Sequence, residues 1–124
     1  MILTVNEALG MHRKLIAKTG GLDGVRDIGI LEMSVLSCTQ TFNDEELYPS
    51  VIEKAARVAF SICKNHPFVD GNKRTAILCM LTALRINQIE LIKYTQTELV
   101  SLGLGIADGS IDYQDIVLWI KEHS

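Results

Sequence analysis

The sequence predicts an all-α protein, a compact bundle of about six helices, and three observations carry that prediction. Ser/Thr-x-x-Glu pairs stand at Thr4 with Glu7, Ser50 with Glu53 and Thr95 with Glu98. At that spacing a hydroxyl and a carboxylate can close reciprocally on the open N–H groups of a helix start. Apolar residues fill the runs 51–63 and 76–86 on most sides, as in helices from the middle of a domain. Gly20-Gly21 and Asp108-Gly109 punctuate the periodic stretches, and little of the chain reads as strand.

In chain order, the first helix should run from near Thr4 to Lys18 and stop at Gly20-Gly21. A second should start near Asp27 and reach about Ser37, after which Cys38 to Pro49 reads as irregular. Two core helices follow, one over Val51 to Cys63 and one opening at Asn72 and running to Ile86. Ile89-Glu90-Leu91-Ile92 reads as a short extended piece. Helix resumes from Thr95 to about Ala107, although Gly103 and Gly105 each weaken it by roughly 1 kcal/mol relative to alanine. The last helix should span about Asp112 to Glu122, with Tyr113 and Trp119 packing it onto the core.

The 124 residues predict a single domain over 1–124 that folds without covalent staples. Twelve basic and fifteen acidic residues give a formal charge of −3, which argues against a broad electrostatic grip on nucleic acid. Cys38, Cys63 and Cys79 are odd in number and lack Cys-x-x-Cys spacing, so reduced core thiols and a cytoplasmic setting are expected. The first residues lack a basic start with a long apolar core, and no run approaches the ~18 apolar residues of a membrane span. Neither secretion nor membrane insertion is therefore expected.

The chemistry concentrates in His66-Pro67-Phe68-Val69-Asp70-Gly71-Asn72-Lys73-Arg74-Thr75. An imidazole can take the proton a hydroxyl must lose to become a nucleophile, so His66 is the candidate base. Asp70 is an oxygen ligand of the kind Mg²⁺ prefers in company with substrate phosphates. Gly71 lets backbone approach a phosphate, and Asn72 can cap the following helix, whose N–H groups and dipole would face the anion. Lys73 and Arg74 oppose that dipole on the first turn, a penalty that a bound polyphosphate reverses. Singly, His-Pro is an ordinary helix terminator, Asp-Gly-Asn an ordinary turn and Lys-Arg a solvated pair. Their concurrence, at the one place where the local helix rule is broken, favours phosphoryl or nucleotidyl transfer.

The segment resembles the signature of the Fic/Doc family, His-x-Phe-x-(Asp/Glu/Asn)-Gly-Asn-(Gly/Lys)-Arg, and specifically its Doc (death-on-curing) branch. The stretch Thr19 to Asp27, Leu47-Tyr48-Pro49 and Leu84-Arg85-Ile86-Asn87 extend the resemblance along most of the chain. It implies that His66 deprotonates a target hydroxyl, that Asp70 holds Mg²⁺, that Gly71, Asn72, Lys73 and Arg74 bind the phosphates of ATP, and that Phe68 supports the motif. It also implies a small flap over Thr41, Phe42, Asn43 and Asp44 that aligns the target by strand addition, although a solvated acidic loop is an equal reading of those residues. Adenylylating members carry a second glycine where this chain has Lys73 and a second arginine where it has Ile77. The lysine goes with kinase chemistry on a Ser or Thr hydroxyl of a translation factor, elongation factor Tu being the target the family implies. Adenylyl transfer is the alternative, and a binding module acting through its antitoxin is a second.

Many Fic proteins restrain themselves with a (Ser/Thr)-x-x-x-Glu-(Gly/Asn) helix, which neither Thr41 to Glu46 nor Thr19 to Gly24 reproduces. The resemblance therefore implies a separate Phd-like antitoxin whose disordered tail folds as a helix into a groove near the site. His12 and His123 lie on helical stretches without a metal-ligand partner at i+4, so both are expected to be surface or structural histidines.

Overall fold

Thr4 accepts a hydrogen bond from the Glu7 N–H at 3.1 Å while the Glu7 carboxylate accepts from the Thr4 N–H at 2.8 Å. With both arms of that box closed, helix α1 runs Val5–Thr19 and ends on Gly20 at φ 83°. The computed structural model describes residues 2–124. Asp27 caps α2 (Ile28–Leu36), and a 3-10 turn over Ser37–Thr39 carries the chain out of it. Ser50 and Glu53 form a second complete box at the start of α3 (Val51–Asn65). At α5 (Gln96–Asp108) only half the expected box forms, because Thr95 caps the Glu98 N–H while the Glu98 carboxylate turns to the Thr95 hydroxyl. Asp112 and Asp115 close a further box at α6 (Tyr113–His123).

Helix α4 (Asn72–Ile86) departs from expectation at its start. Its N-cap is Gly71, in the left-handed region at φ 79°, and Asn72 is the first helical residue rather than the cap. Ile89 to Ile92 is not a strand; it is irregular and tied down where the Ile92 N–H donates to the His123 carbonyl at 2.6 Å. The stretch read as irregular before α3 holds a two-residue hairpin, β1 (Thr41–Phe42) with β2 (Glu45–Glu46), antiparallel with Thr41 opposite Glu46.

Helices α3 and α4 form the most extensive pairing, and α2, α5 and α6 all pack on α3 while α1 and α5 flank α4. From Val51 to Cys63 no residue is exposed, and the same holds from Thr75 to Leu84. Both central helices thus surface only at their ends, and the loop 66–71 joins two of those ends. Cys38, Cys63 and Cys79 are buried free thiols, and burial pushes Cys63 up to about 11 and Cys79 up to about 12. Of the helix-weakening glycines of α5, Gly105 has a packing reason, since a Cβ there would collide with Ile111, whereas one at Gly103 would make only ordinary contact with Lys73 at 3.5 Å. No helix among the described residues is long and apolar enough to cross a membrane.

Candidate functional site

The loop is built from the end of α3. His66 takes the left-handed conformation, φ 50° and ψ 58°, which for a residue with a Cβ costs on the order of 1–2 kcal/mol. Arg26 holds it there. Its Nε donates to the His66 carbonyl and its Nη2 to the Asn65 carbonyl, both at 2.7 Å, which satisfies open carbonyls at the helix terminus. The turn that carries Arg26 is laced to the loop by backbone as well. Arg26 N–H and Asp27 N–H both donate to the Pro67 carbonyl, at 2.8 and 3.2 Å, and Val69 N–H donates to the Gly24 carbonyl at 3.0 Å. Between them Val25 and Phe68 form an isolated antiparallel bridge. Phe68 is 1% exposed and is the motif's anchor in the core.

Asp70 is held by two backbone N–H groups. Oδ2 accepts from Leu22 at 3.2 Å and Oδ1 from Gly71 at 2.8 Å, and these bonds, Leu22 first, keep its carboxyl below the usual carboxylate range. Gly21 allows the approach, since a Cβ there would stand 2.7 Å from Asp70 Oδ2. At Gly71 the positive φ favours glycine, and a Cβ would press on the Ile16 Cδ1 at 3.2 Å. The Asn72 side chain is spent on the loop. Its Oδ1 accepts from the Phe68 N–H at 2.9 Å and its Nδ2 donates to the Phe68 carbonyl at 3.0 Å. What Asn72 can offer an anion is therefore its backbone N–H.

No side chain caps α4, and its first internal bond runs from Thr75 N–H to the Gly71 carbonyl. The N–H groups before Thr75 and the positive end of the dipole are left for an outside anion. Lys73 and Arg74 are exposed on that turn, and neither has a carboxylate within salt-bridge distance among the described residues. Arg74 is aimed rather than loose: Nη1 donates to the Thr19 hydroxyl at 2.6 Å, and that hydroxyl donates to the Leu15 carbonyl. Asp70, Gly71, Asn72, Lys73 and Arg74 all line one cleft of about 500 Å³ between α1, α4 and α5. Each Asp70 oxygen accepts a single N–H, so lone pairs remain on both, as a hard cation such as Mg²⁺ would require of a carboxylate ligand.

His66 does not line this cleft. It is exposed one residue beyond Asn65, which lines a second cleft of about 440 Å³ between α2 and α3. That cleft reaches Gln40, next to the hairpin, so the loop stands along the chain between the cationic start of α4 and a surface bordered by the hairpin. Thr41, Phe42, Asn43 and Asp44 are all exposed, Phe42 at 69%. Asn43 and Asp44 take positive φ, 52° and 65°, as a two-residue hairpin turn requires. Lys54 anchors the second strand by donating to Glu46 Oε1 at 2.8 Å and to the Tyr48 carbonyl, and that bond holds the Glu46 carboxyl below its ordinary value.

Four supporting residues were given no role in the site by the sequence: His12, expected to be a surface or structural histidine, and Thr19, Leu22 and Arg26, which entered only as part of the stretch resembling the family. A signal existed for His12 alone, which shares an i, i+4, i+8 stripe with buried Ala8 and Ile16. It is a structural histidine, as one of the two expected readings held, but it lies beneath the motif. His123 is structural too, stacked on Trp119 with ring centroids 4.0 Å apart.

The loop tied in this way has an exposed imidazole on one side and a cationic helix start without a side-chain cap on the other. The model of the Fic/DOC family matches residues 2–84, and the chain belongs to that family. Within it the curated relatives are of the Doc kind. The chain is 42% identical over 72 residues to the Toxin Doc of Mycolicibacterium smegmatis, a match covering 58% of this chain and 55% of that one. It is 29% identical over 114 residues to the Protein kinase doc of Escherichia phage P1, covering 92% of this chain and 88% of that one. The aligned stretch thus spans about half of the mycobacterial relative and most of the phage one.

Proposed function

We propose that this chain is the toxin of a toxin–antitoxin pair and a protein kinase of the Doc kind. It moves the γ-phosphate of ATP to a Ser or Thr hydroxyl of a translation factor in the cytoplasm, with elongation factor Tu the first candidate. The observation that carries this reading is the single cleft mouth shared by Asp70, the uncapped start of α4, Lys73 and Arg74. The Lys73 stem lies against Gly103 between α4 and α5, so the lysine is part of the cleft wall. The apolar Ile77, 6% exposed, stands where adenylylating relatives carry an arginine.

In the proposed reaction the acceptor hydroxyl oxygen bonds to the γ-phosphorus while the bond from that phosphorus to the β,γ-bridging oxygen breaks. His66 takes the hydroxyl proton, and ADP leaves with the electron pair of the broken bond. Lys73, Arg74 and the first N–H groups of α4 stabilise the charge on the phosphate oxygens. Asp70 would hold Mg²⁺, which neutralises nucleotide charge when bound.

Beyond the cations the same cleft is walled by Leu15, Leu78, Leu81, Val100 and Leu104. Val100 and Leu104 are exposed one helical turn apart, a surface that suits the apolar face of an antitoxin helix. A Phd-like partner seated there would close the mouth of the anion seat, and copurification with protection of α4 and α5 from proteolysis is its check. The catalytic reading is tested by offering host extract γ-labelled or α-labelled ATP with wild type, His66→Ala and Lys73→Gly. Label should move from the γ position only and disappear with His66→Ala. Transfer of α label by wild type would replace the kinase reading with adenylylation.

A further inference from the structure

His12 is 2% exposed on the inner face of α1, although it takes no part in the proposed chemistry. Burying an imidazole rather than a leucine at a core position is costly unless its polar atoms are used. Here they are used on the motif loop. Nε2 lies 2.7 Å from the Asp70 backbone oxygen, and since a carbonyl only accepts, Nε2 carries the proton. The ring stacks on Phe68 at 3.9 Å with 5° between planes, and Nδ1 faces Asp23 Oδ1 at 3.7 Å in the glycine-rich turn. The ring edge also lies under Gly71, 3.7 Å from where a Cβ would be. One side chain therefore contacts Phe68 and Asp70 and lies beneath Gly71, three parts of the loop.

The consequence follows from peptide geometry. In a planar trans peptide the C=O and the next N–H point in opposite directions. A carbonyl drawn inward to His12 turns the Gly71 N–H outward, and that N–H is the donor that holds Asp70 Oδ1. We infer that His12 is a positioning residue which, by fixing the Asp70–Gly71 peptide, sets the Asp70 carboxylate and the start of α4 for a metal-bound nucleotide triphosphate. The inference rests on the reading of this loop as a phosphate seat. It assigns no proton transfer to His12.

The test compares His12→Leu, which keeps the volume and loses the donor, with His12→Gln, whose amide can still donate. Calorimetry of the full chain with Mg·ATP should show binding weakened at least tenfold in His12→Leu and largely restored in His12→Gln. Saturating nucleotide should recover most of kcat in His12→Leu, so that the loss appears in KM. Equal affinity in His12→Leu and wild type, or a His12→Gln no better than His12→Leu, would overturn the assignment. Should His12→Leu not fold, ¹⁵N spectra of wild type decide. A slowly exchanging ring N–H at His12 whose shift responds to Mg·ATP supports the role, and a freely exchanging, unresponsive one contradicts it. A wild type that binds no Mg·ATP defeats the phosphate-seat reading, whereas the ring proton, read without nucleotide, separately reports whether His12 holds the loop.

Discussion

Two loops on the same helix, α3, are held in opposite ways. The loop leaving its C-terminus is fixed by the Arg26 guanidinium, the Asn72 amide, the His12 ring and a run of backbone bonds from residues 22–27. The hairpin preceding its N-terminus has its own two-residue ladder, one further backbone bond from Leu47 to Gln40, and Lys54. Every residue from Thr41 to Glu46 is exposed, whereas Pro67 and Phe68 are buried. A phosphate-transfer seat gains from being rigid before substrate arrives, because positioning and aimed dipoles supply most of the rate. A strand that pairs with a protein segment needs only free edge groups and room to adjust.

Substitutions can break that contrast. The largest effect is expected at His66, where glycine removes the proposed base and also fits the left-handed backbone. His66→Gly should lower transfer by roughly 10²- to 10⁴-fold while raising stability by up to about 1 kcal/mol, read by labelled transfer and chemical denaturation of one preparation. Arg26→Ala comes next. Losing two charge-assisted bonds at an exposed site should cost about 1–2 kcal/mol of stability and roughly tenfold in transfer, with Mg·ATP affinity unchanged, because the cation end of the loop keeps its own ties. Phe42→Ala should leave stability within about 0.5 kcal/mol and nucleotide affinity unaltered, and raise KM for the protein substrate alone. A fall in nucleotide affinity in that variant would mean the two loops are coupled.

Far from both, His123 offers the smallest effect. Its Nδ1 meets the Trp119 carbonyl at 2.7 Å and its Nε2 meets Glu98 Oε2 at 2.9 Å, and these acceptors, the carbonyl first, raise its pKa despite partial burial. A raised folded value means the contribution to stability is fully present below the unfolded value of about 6.5 and is lost as pH rises through the folded value. Thermal melts across that window should show the decline, and Glu98→Gln should flatten it.

Much of this was legible in the sequence because it is written in local rules. Capping pairs located the starts of α1 and α3, and greasy runs identified the two helices that end up central. The motif residues fell in one stretch, and five of them do meet in one cleft. Asn72 was misplaced as a cap because the capping rule is local, whereas its amide closes on Phe68 four residues back and leaves Gly71 at the cap. Arg26 and Leu22 fell within the stretch that resembles the family, but their contacts could not be read for a related reason. Their partners lie 40 and 48 residues away, and no periodicity encodes a bond of that span.

The central claim is that the anion seat stands complete before nucleotide binds. Backbone amide spectra of the free chain, titrated with Mg·ATP, test it most directly. The Asn72, Lys73 and Arg74 amides should shift sharply while those of Phe68 and Val69, locked by Asn72 and Gly24, keep their positions and slow exchange. Broad or fast-exchanging Phe68 and Val69 amides that sharpen only on adding nucleotide would show a seat assembled by its ligand, and would contradict the account.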